Sequence, residues 1–269
     1  VAQGAIVDTP AGDWYAIMFQ DHGAVGRIPT IQPVTWMDGW PVMGDGGVPM
    51  KTVRVNLPVS GEDYVWASDE FDSSELALVW QWNHKPVDGL WSLTERPGWL
   101  RLRAGIPAEG IMSARNTLTQ RTVGPKCVSE VKLDLSGLKP GDRAGICAFQ
   151  SGNIAVGAEM GSGGAVDVVL RRCGRDAKDE EIYRSRLGGD ALWLRLYYVF
   201  TSSEGEEADT VTASWSEDGR DWHDCGYTLK MRFTLDLFTG YRTALYCYPA
   251  SDGGGGYADF DYFRQWVVE

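Results

Sequence analysis

Apolar and polar residues alternate along this chain in short runs that break off at glycine, proline, asparagine or aspartate. No stretch sustains the roughly 3.6-residue apolar period of a helix through three turns. The runs are rich in aromatic and β-branched residues, which suit a pleated, half-buried surface. They predict strands over 4–7, 14–20, 30–36, 80–83, 99–103, 128–135, 144–150, 165–171, 192–200, 211–215, 241–248 and 257–263. The expected class is all-β, with helix scarce. Asp218-Gly219 marks a hairpin tip within 216–222, and the charged stretches 171–181 and 204–207 read as solvated loops.

The pattern changes between Asp38 and Tyr64, where Asp45-Gly46-Gly47, Pro49, Pro58 and Gly61 surround one plausible strand, 51–55. This divides the chain into residues 1–45, a linker at 46–63, and residues 64–269. The last part carries enough strands for one two-sheet β-sandwich. The first holds two or three, too few to bury a core alone. Its size is that of a propeller blade, and propeller rings are often closed by their last strands. The expectation is a chain that begins inside a fold whose remainder lies on the N-terminal side.

Composition then narrows the partners. Of the 269 residues 43% are hydrophobic, ample for packed cores, yet no run approaches the roughly 20 residues of a spanning helix. The opening residues lack the layout of a signal peptide. A soluble chain is expected, secreted or cytoplasmic and without a membrane partner. A formal charge of −12 argues against nucleic acid, whose binders bring clustered Lys and Arg to the phosphates. Five cysteines (Cys127, Cys147, Cys173, Cys225 and Cys247) form no C-x-x-C pair. They read as free thiols rather than as a zinc site or a disulfide framework.

Several clusters could carry chemistry. Gln20-Asp21-His22-Gly23 ends a long strand, and Arg27 follows among Gly23, Gly26 and Pro29, as β-scaffolds present polar groups to a pocket. Trp80-Gln81-Trp82-Asn83-His84 pairs indoles with amides and imidazole, a combination that binds sugars and also fills sandwich cores. Alternation assigns Trp80 and Trp82 to the core and leaves Asn83 and His84 open. The polar run 115–121 reads either as a face toward a partner domain or as an exposed edge. Asp259 and Asp261 alternate onto one strand face, and Asp69 and Glu70 lie near the first sandwich strand. Where first and last strands meet, Glu70 and Asp259 are the preferred ligands of a structural Ca²⁺. Solvated surface acids are the competing reading. No Ser-His-Asp order, no metal-spaced histidine pair and no E-x-D-x-x-E string is present.

These residues, taken in order, resemble a known family. The runs Gln3-Gly4-Ala5-Ile6-Val7-Asp8-Thr9-Pro10, Asp13-Trp14-Tyr15, 19–29, Gln32-Pro33-Val34-Thr35-Trp36 and Asp38-Gly39-Trp40-Pro41 resemble the closing blades of glycoside hydrolase family 43, which includes β-xylosidases and α-L-arabinofuranosidases. Ser68-Asp69-Glu70-Phe71, Trp80-Gln81-Trp82-Asn83-His84, Trp91-Ser92-Leu93, 114–121 and Ala258-Asp259-Phe260-Asp261-Tyr262-Phe263 are similar to its appended concanavalin-like sandwich.

The resemblance implies the end of a five-bladed β-propeller followed by a two-sheet sandwich. It also implies a hydrolase that inverts the anomeric centre with an Asp base and a Glu acid about 6.5 to 9.5 Å apart. A further Asp tunes the acid and orients the sugar. All three carboxylates belong to earlier blades. No residue here takes a catalytic role, and Asp8, Asp13 and Asp21 do not match them. By the same resemblance His22, with Gln20, is the polar group that the last blade turns toward the propeller axis. Tyr241, beside Arg242, is the aromatic lid from the sandwich. The implied partners are the N-terminal propeller part and a xylan-derived oligosaccharide, cut at xylose or arabinofuranose units of arabinoxylan. No cofactor is required for the chemistry. The alternative is a non-catalytic carbohydrate-binding sandwich, which would bind sugar without a propeller.

Overall fold

A computed structural model describes residues 2–58, 66–174, 179–201, 207–235 and 238–268. Within them the chain forms eighteen strands, no α-helix, and two single-turn 3₁₀ segments. The first four strands, β1 (Ala2–Asp8), β2 (Trp14–Asp21), β3 (Arg27–Met37) and β4 (Trp40–Met43), pair in that order as an antiparallel meander. Asp38 and Gly39 both adopt positive φ at the β3–β4 turn, the conformation a two-residue hairpin requires. β4 was not expected, because Pro41 breaks its pattern; as an edge strand it tolerates the missing N–H. Tyr15, Ala16 and Val34 are buried, whereas Ile17, Trp36, Met37 and Trp40 stay exposed. A single four-stranded sheet cannot cover both its faces.

The chain next returns across this blade-like sheet. The Gln32 amide donates to Met50 O at 2.9 Å and accepts from Met50 N at 2.7 Å, and Asn56 N donates to the Tyr15 hydroxyl at 3.2 Å. The predicted strand at 51–55 is absent, since side chains rather than a ladder anchor the backbone on either side of it. Residues 59–65, which include the end of the expected linker and Tyr64, lie outside the described residues, as does most of 204–207.

Fourteen strands build the sandwich: β5 (Gln81–Trp82), β6 (Trp91–Ser92), β7 (Leu100–Arg103), β8 (Leu118–Arg121), β9 (Lys126–Asp134), β10 (Asp142–Phe149), β11 (Asn153–Met160), β12 (Val166–Cys173), β13 (Asp179–Arg186), β14 (Ala191–Val199), β15 (Thr210–Ser216), β16 (His223–Lys230), β17 (Arg242–Pro249) and β18 (Tyr257–Val267). They form two seven-stranded antiparallel sheets, ordered β13-β12-β11-β10-β17-β8-β5 and β16-β15-β14-β9-β18-β7-β6. Alternate residues of each sheet meet between them: Ile146, Ile154, Val168, Leu170 and Leu245 from the first, Val131, Leu133, Leu194, Leu196, Phe260 and Phe263 from the second. All are fully buried.

The first and last segments of the sandwich do meet. Asp69 bridges Phe263 through paired backbone bonds, and its carboxylate accepts from Phe71 N and Trp80 Nε1, both at 2.8 Å. Trp80 is in the core against Phe71 and Phe263, and Trp82 packs on that core. In β18 the register against β9 slips between Phe260 and Tyr262, so the core-facing positions change from even to odd numbers.

Two polar stretches turn out to be structural. Thr117 to Gln120 are buried, because β8 lies between β17 and β5 rather than at an exposed edge; the Gln120 amide oxygen accepts from Ala67 N at 2.6 Å. Apart from Gly174, the described part of 171–181 belongs to β12 and β13, and residues 175–178 lie outside the described residues. Its charges pair across strands, Arg171 with Glu159 and Asp179 with Arg143 at 3.0 Å, and further along β13 Arg184 pairs with Asp167 at 2.7 Å. The five cysteines are free thiols, and burial pushes those of Cys127 and Cys225 up to about 12, which leaves them unreactive.

Burial alone would raise the Glu159 carboxyl, but the hydrogen bond from Arg171 and the charges of Arg143 and Arg171 hold it below its ordinary value of 4.5. A carboxyl depressed by folding contributes stability above its unfolded value and loses it as pH falls through the folded one. Glu159→Gln should therefore cost about 2 kcal/mol at neutral pH in urea unfolding. The difference from wild type should shrink as the pH drops below 4.5.

Candidate functional site at the blade and sandwich seam

The blade presents its polar end through one tight turn. β2 stops at Asp21, His22 opens the 3₁₀ turn Gly23–Val25, and Gly26 closes it. His22 N donates to Gly26 O, and Gly26 N to Gly23 O, each at 3.0 Å. Arg27 then starts β3 directly opposite Asp21. Its Nε donates to Asp21 Oδ1 at 3.1 Å, and its guanidinium lies 4.1 Å from the centre of the Phe19 ring.

The sandwich grips this turn through one backbone bond and one carboxylate. Tyr241 N donates to Ala24 O at 2.9 Å, and Ala24 N donates to Asp209 Oδ1 at 3.0 Å. Gly240, at φ +78°, lies so close that a Cβ there would sit 2.3 Å from Val25 O; a Cβ on Gly26 would sit 2.6 Å from Gly240 N. Only glycine permits that approach. The contact carries Phe238 onto the blade, where its ring centre lies 4.4 Å from the Arg27 guanidinium. Arg27 thus contacts an aromatic from each unit, and His22, at the other end of the same turn, is exposed.

The expected site residues separate into two groups. His22 and Arg27 share the seam. Gln20 does not: strand alternation turns it to the opposite face, where it lines a groove of about 460 Å³ with Gln32, Met50 and Lys51. Tyr241 is not a lid. It is 3% exposed, belongs to the sandwich core, and donates its hydroxyl to Gly152 O at 2.6 Å. The aromatic that reaches the blade is Phe238, 44% exposed, three residues earlier. Arg242 turns to the outer face of the first sheet beside Thr119.

The calcium assignment also gives way. Asp259 is 1% exposed and takes Arg101 side-on through both carboxylate oxygens, each at 2.7 Å, with Arg96 at 3.0 Å. Glu70 is held by Arg264 at 2.8 and 2.9 Å, and Asp261 by Lys132 at 2.7 Å. Each acid is already neutralised by its own cation. Among the described residues no group of three or more His, Cys, Asp or Glu could hold a metal ion. Of the open residues in the aromatic opening, His84 bonds Met112 O at 2.9 Å and Asn83 lines a cavity with Trp82.

A two-sheet concanavalin-like sandwich, joined through a glycine seam to a blade-like sheet, is the class this geometry defines. The chain belongs to the family of beta-xylosidase C-terminal concanavalin A-like domains, whose profile matches residues 68–265. A beta-xylosidase of Formosa agariphila is 31% identical over 299 aligned positions, covering 97% of this chain and 47% of that protein. A non-reducing end alpha-L-arabinofuranosidase of Bacteroides ovatus is 35% identical over 115 positions, 38% of this chain and 21% of its own length. Among solved structures, the bifunctional GH43-CE protein of Bacteroides eggerthii superimposes with a TM-score of 0.86 at 40% identity. It covers all of this chain and 34% of its own. The chain spans about half the length of the Formosa agariphila relative.

The seam should be sensitive to a single methyl group. Gly240→Ala should destabilise the chain by about 1–3 kcal/mol in urea unfolding. It should also expose the 22–27 turn to limited proteolysis before the sandwich is cut.

Proposed function

We propose that this chain is the C-terminal part of an inverting glycoside hydrolase that releases xylose or arabinofuranose from arabinoxylan or xylo-oligosaccharides. The catalytic acid and base would stand on a propeller part of the same enzyme. The observation that carries this reading is the contact of Arg27 with both Phe19 and Phe238. It presents a guanidinium with N–H donors for sugar hydroxyls next to an exposed ring on which a pyranose or furanose can stack. The names of the relatives, beta-xylosidase and alpha-L-arabinofuranosidase, support the same substrate class. In this role Arg27 and His22 bind and orient the terminal sugar, and Phe238 covers it against water. The exposed apolar residues of the blade, Ile17, Trp36 and Trp40 among them, supply the surface on which neighbouring blades would pack.

The test combines this chain with the propeller part of its full-length enzyme and measures hydrolysis of nitrophenyl xyloside and nitrophenyl arabinofuranoside. The chain alone should show no turnover, and the completed enzyme should. Arg27→Ala should lower kcat/KM about a hundredfold and Phe238→Ala about tenfold. Tyr241→Phe, which removes only the bond to Gly152, should leave it nearly unchanged. Turnover by the chain alone, or no effect of Arg27→Ala, would defeat the proposal.

A further inference from the structure

We infer, on the reading of Arg27 as a sugar-binding group, that Asp209 of the sandwich is a positioning residue for turnover: its carboxylate holds the blade turn 22–27, and with it Arg27, in place. The turn does not rest on the sandwich surface. Ala24 is fully buried and Val25 nearly so, and both belong to the sandwich core, the cluster that also holds Tyr241. The turn therefore carries main-chain polar groups into an apolar region, where each needs a partner. The Ala24 carbonyl accepts from Tyr241 N, and the Ala24 N–H donates to Asp209 Oδ1.

The surroundings are arranged about that second bond. Asp209 has φ +53°, a left-handed conformation uncommon outside glycine. Its carbonyl accepts from Met231 N at 2.7 Å, and the adjoining Thr210 pairs with Lys230 and Val199, so the backbone that carries the carboxylate is fixed in the second sheet. On the blade side Gly23 leaves the room, since a Cβ there would sit 2.6 Å from Asp209 Oδ2. Within the sandwich, other carboxylates pin segments by accepting main-chain N–H groups: Asp69 accepts from Phe71 N, and Asp142 from Lys139 N and Gly256 N. Asp209 does the same from one unit to the other. Arg27 stands three residues after Ala24, in a turn closed by its own bonds from His22 N to Gly26 O and from Gly26 N to Gly23 O. What moves Ala24 moves Arg27. Without the carboxylate the buried Ala24 N–H loses its acceptor, and the turn gains by lifting toward water. A misplacement of about 1 Å in a group that orients substrate can cost about a hundredfold in rate.

A double-mutant cycle in the completed enzyme, on whichever of nitrophenyl xyloside and nitrophenyl arabinofuranoside it turns over, separates positioning from mere support. Asp209→Ala should lower kcat/KM about tenfold. Asp209→Asn, which keeps an oxygen for Ala24 N and tolerates the left-handed backbone, should restore most of that loss. In the Arg27→Ala background, already about a hundredfold down, adding Asp209→Ala should cost no more than about a further twofold, because the group it positions is gone. Thermal melting reports that each variant is folded. If Asp209→Ala does not fold, Asp209→Gly removes the same carboxylate and suits that φ. A purely structural Asp209 would multiply the two losses to about a thousandfold. That product would overturn the inference. So would unchanged kcat/KM in Asp209→Ala, or no recovery in Asp209→Asn, while Arg27→Ala still shows its loss; these outcomes leave the hydrolase reading intact. No effect of Arg27→Ala would remove that reading and this inference together.

Discussion

The approach of two glycine backbones, Gly26 on the blade and Gly240 on the sandwich, is the contact on which the candidate site depends. With no Cβ at Gly26 or Gly240, the two backbones approach closely enough for Tyr241 N to reach Ala24 O and for the Asp209 carboxylate to accept from Ala24 N. Because Gly240 is two residues from Phe238, fixing its backbone also fixes where that ring falls. The ring falls on Arg27. A surface assembled from two units is thereby positioned by the close glycine approach and the Asp209 carboxylate together.

A second constraint is the treatment of charge. The sandwich carries many acids and arginines, yet its half-buried acids are neutralised side-on or across strands: Asp259 by Arg101, Glu159 by Arg171, Asp167 by Arg184. These pairs let polar residues occupy the outer faces of two large sheets without leaving an uncompensated charge. They also remove Glu70 and Asp259 from metal chemistry. The arginine pair at 121 and 242, opposite each other on β17 and β8, departs from that rule.

Much of this was legible in the residues, and the failures have particular causes. Alternation located the blade strands β1, β2 and β3 and the core strands β9, β10, β12, β14, β15, β17 and β18, because one face of each is apolar; it missed β4 at Pro41. It missed β13, whose residues 179–186 are mostly charged and read as solvent-facing until their cross-strand partners are known. It missed β8 as a buried strand, because Thr119 and Gln120 are satisfied by partners far away in sequence, Gln81 O and Ala67 N. The slip in β18 was invisible to a strict period of two. At the site, His22 and Arg27 could be read from a strand end rich in glycine. Tyr241 takes the lid role by resemblance, and Phe238 is not read as a candidate; burial separates them, with Tyr241 in the core and Phe238 44% exposed.

Hydrogen exchange at the amides of Ala24 and Tyr241 reads the seam most directly. Ala24 lies in the 3₁₀ turn and Tyr241 just before β17, and each amide is bonded across the junction. If the glycine contact holds the two units as one body, these amides should be protected to the level of β17, the strand that follows. Exchange at the rate of an open loop, with β17 still protected, would show the blade free of the sandwich and contradict the account.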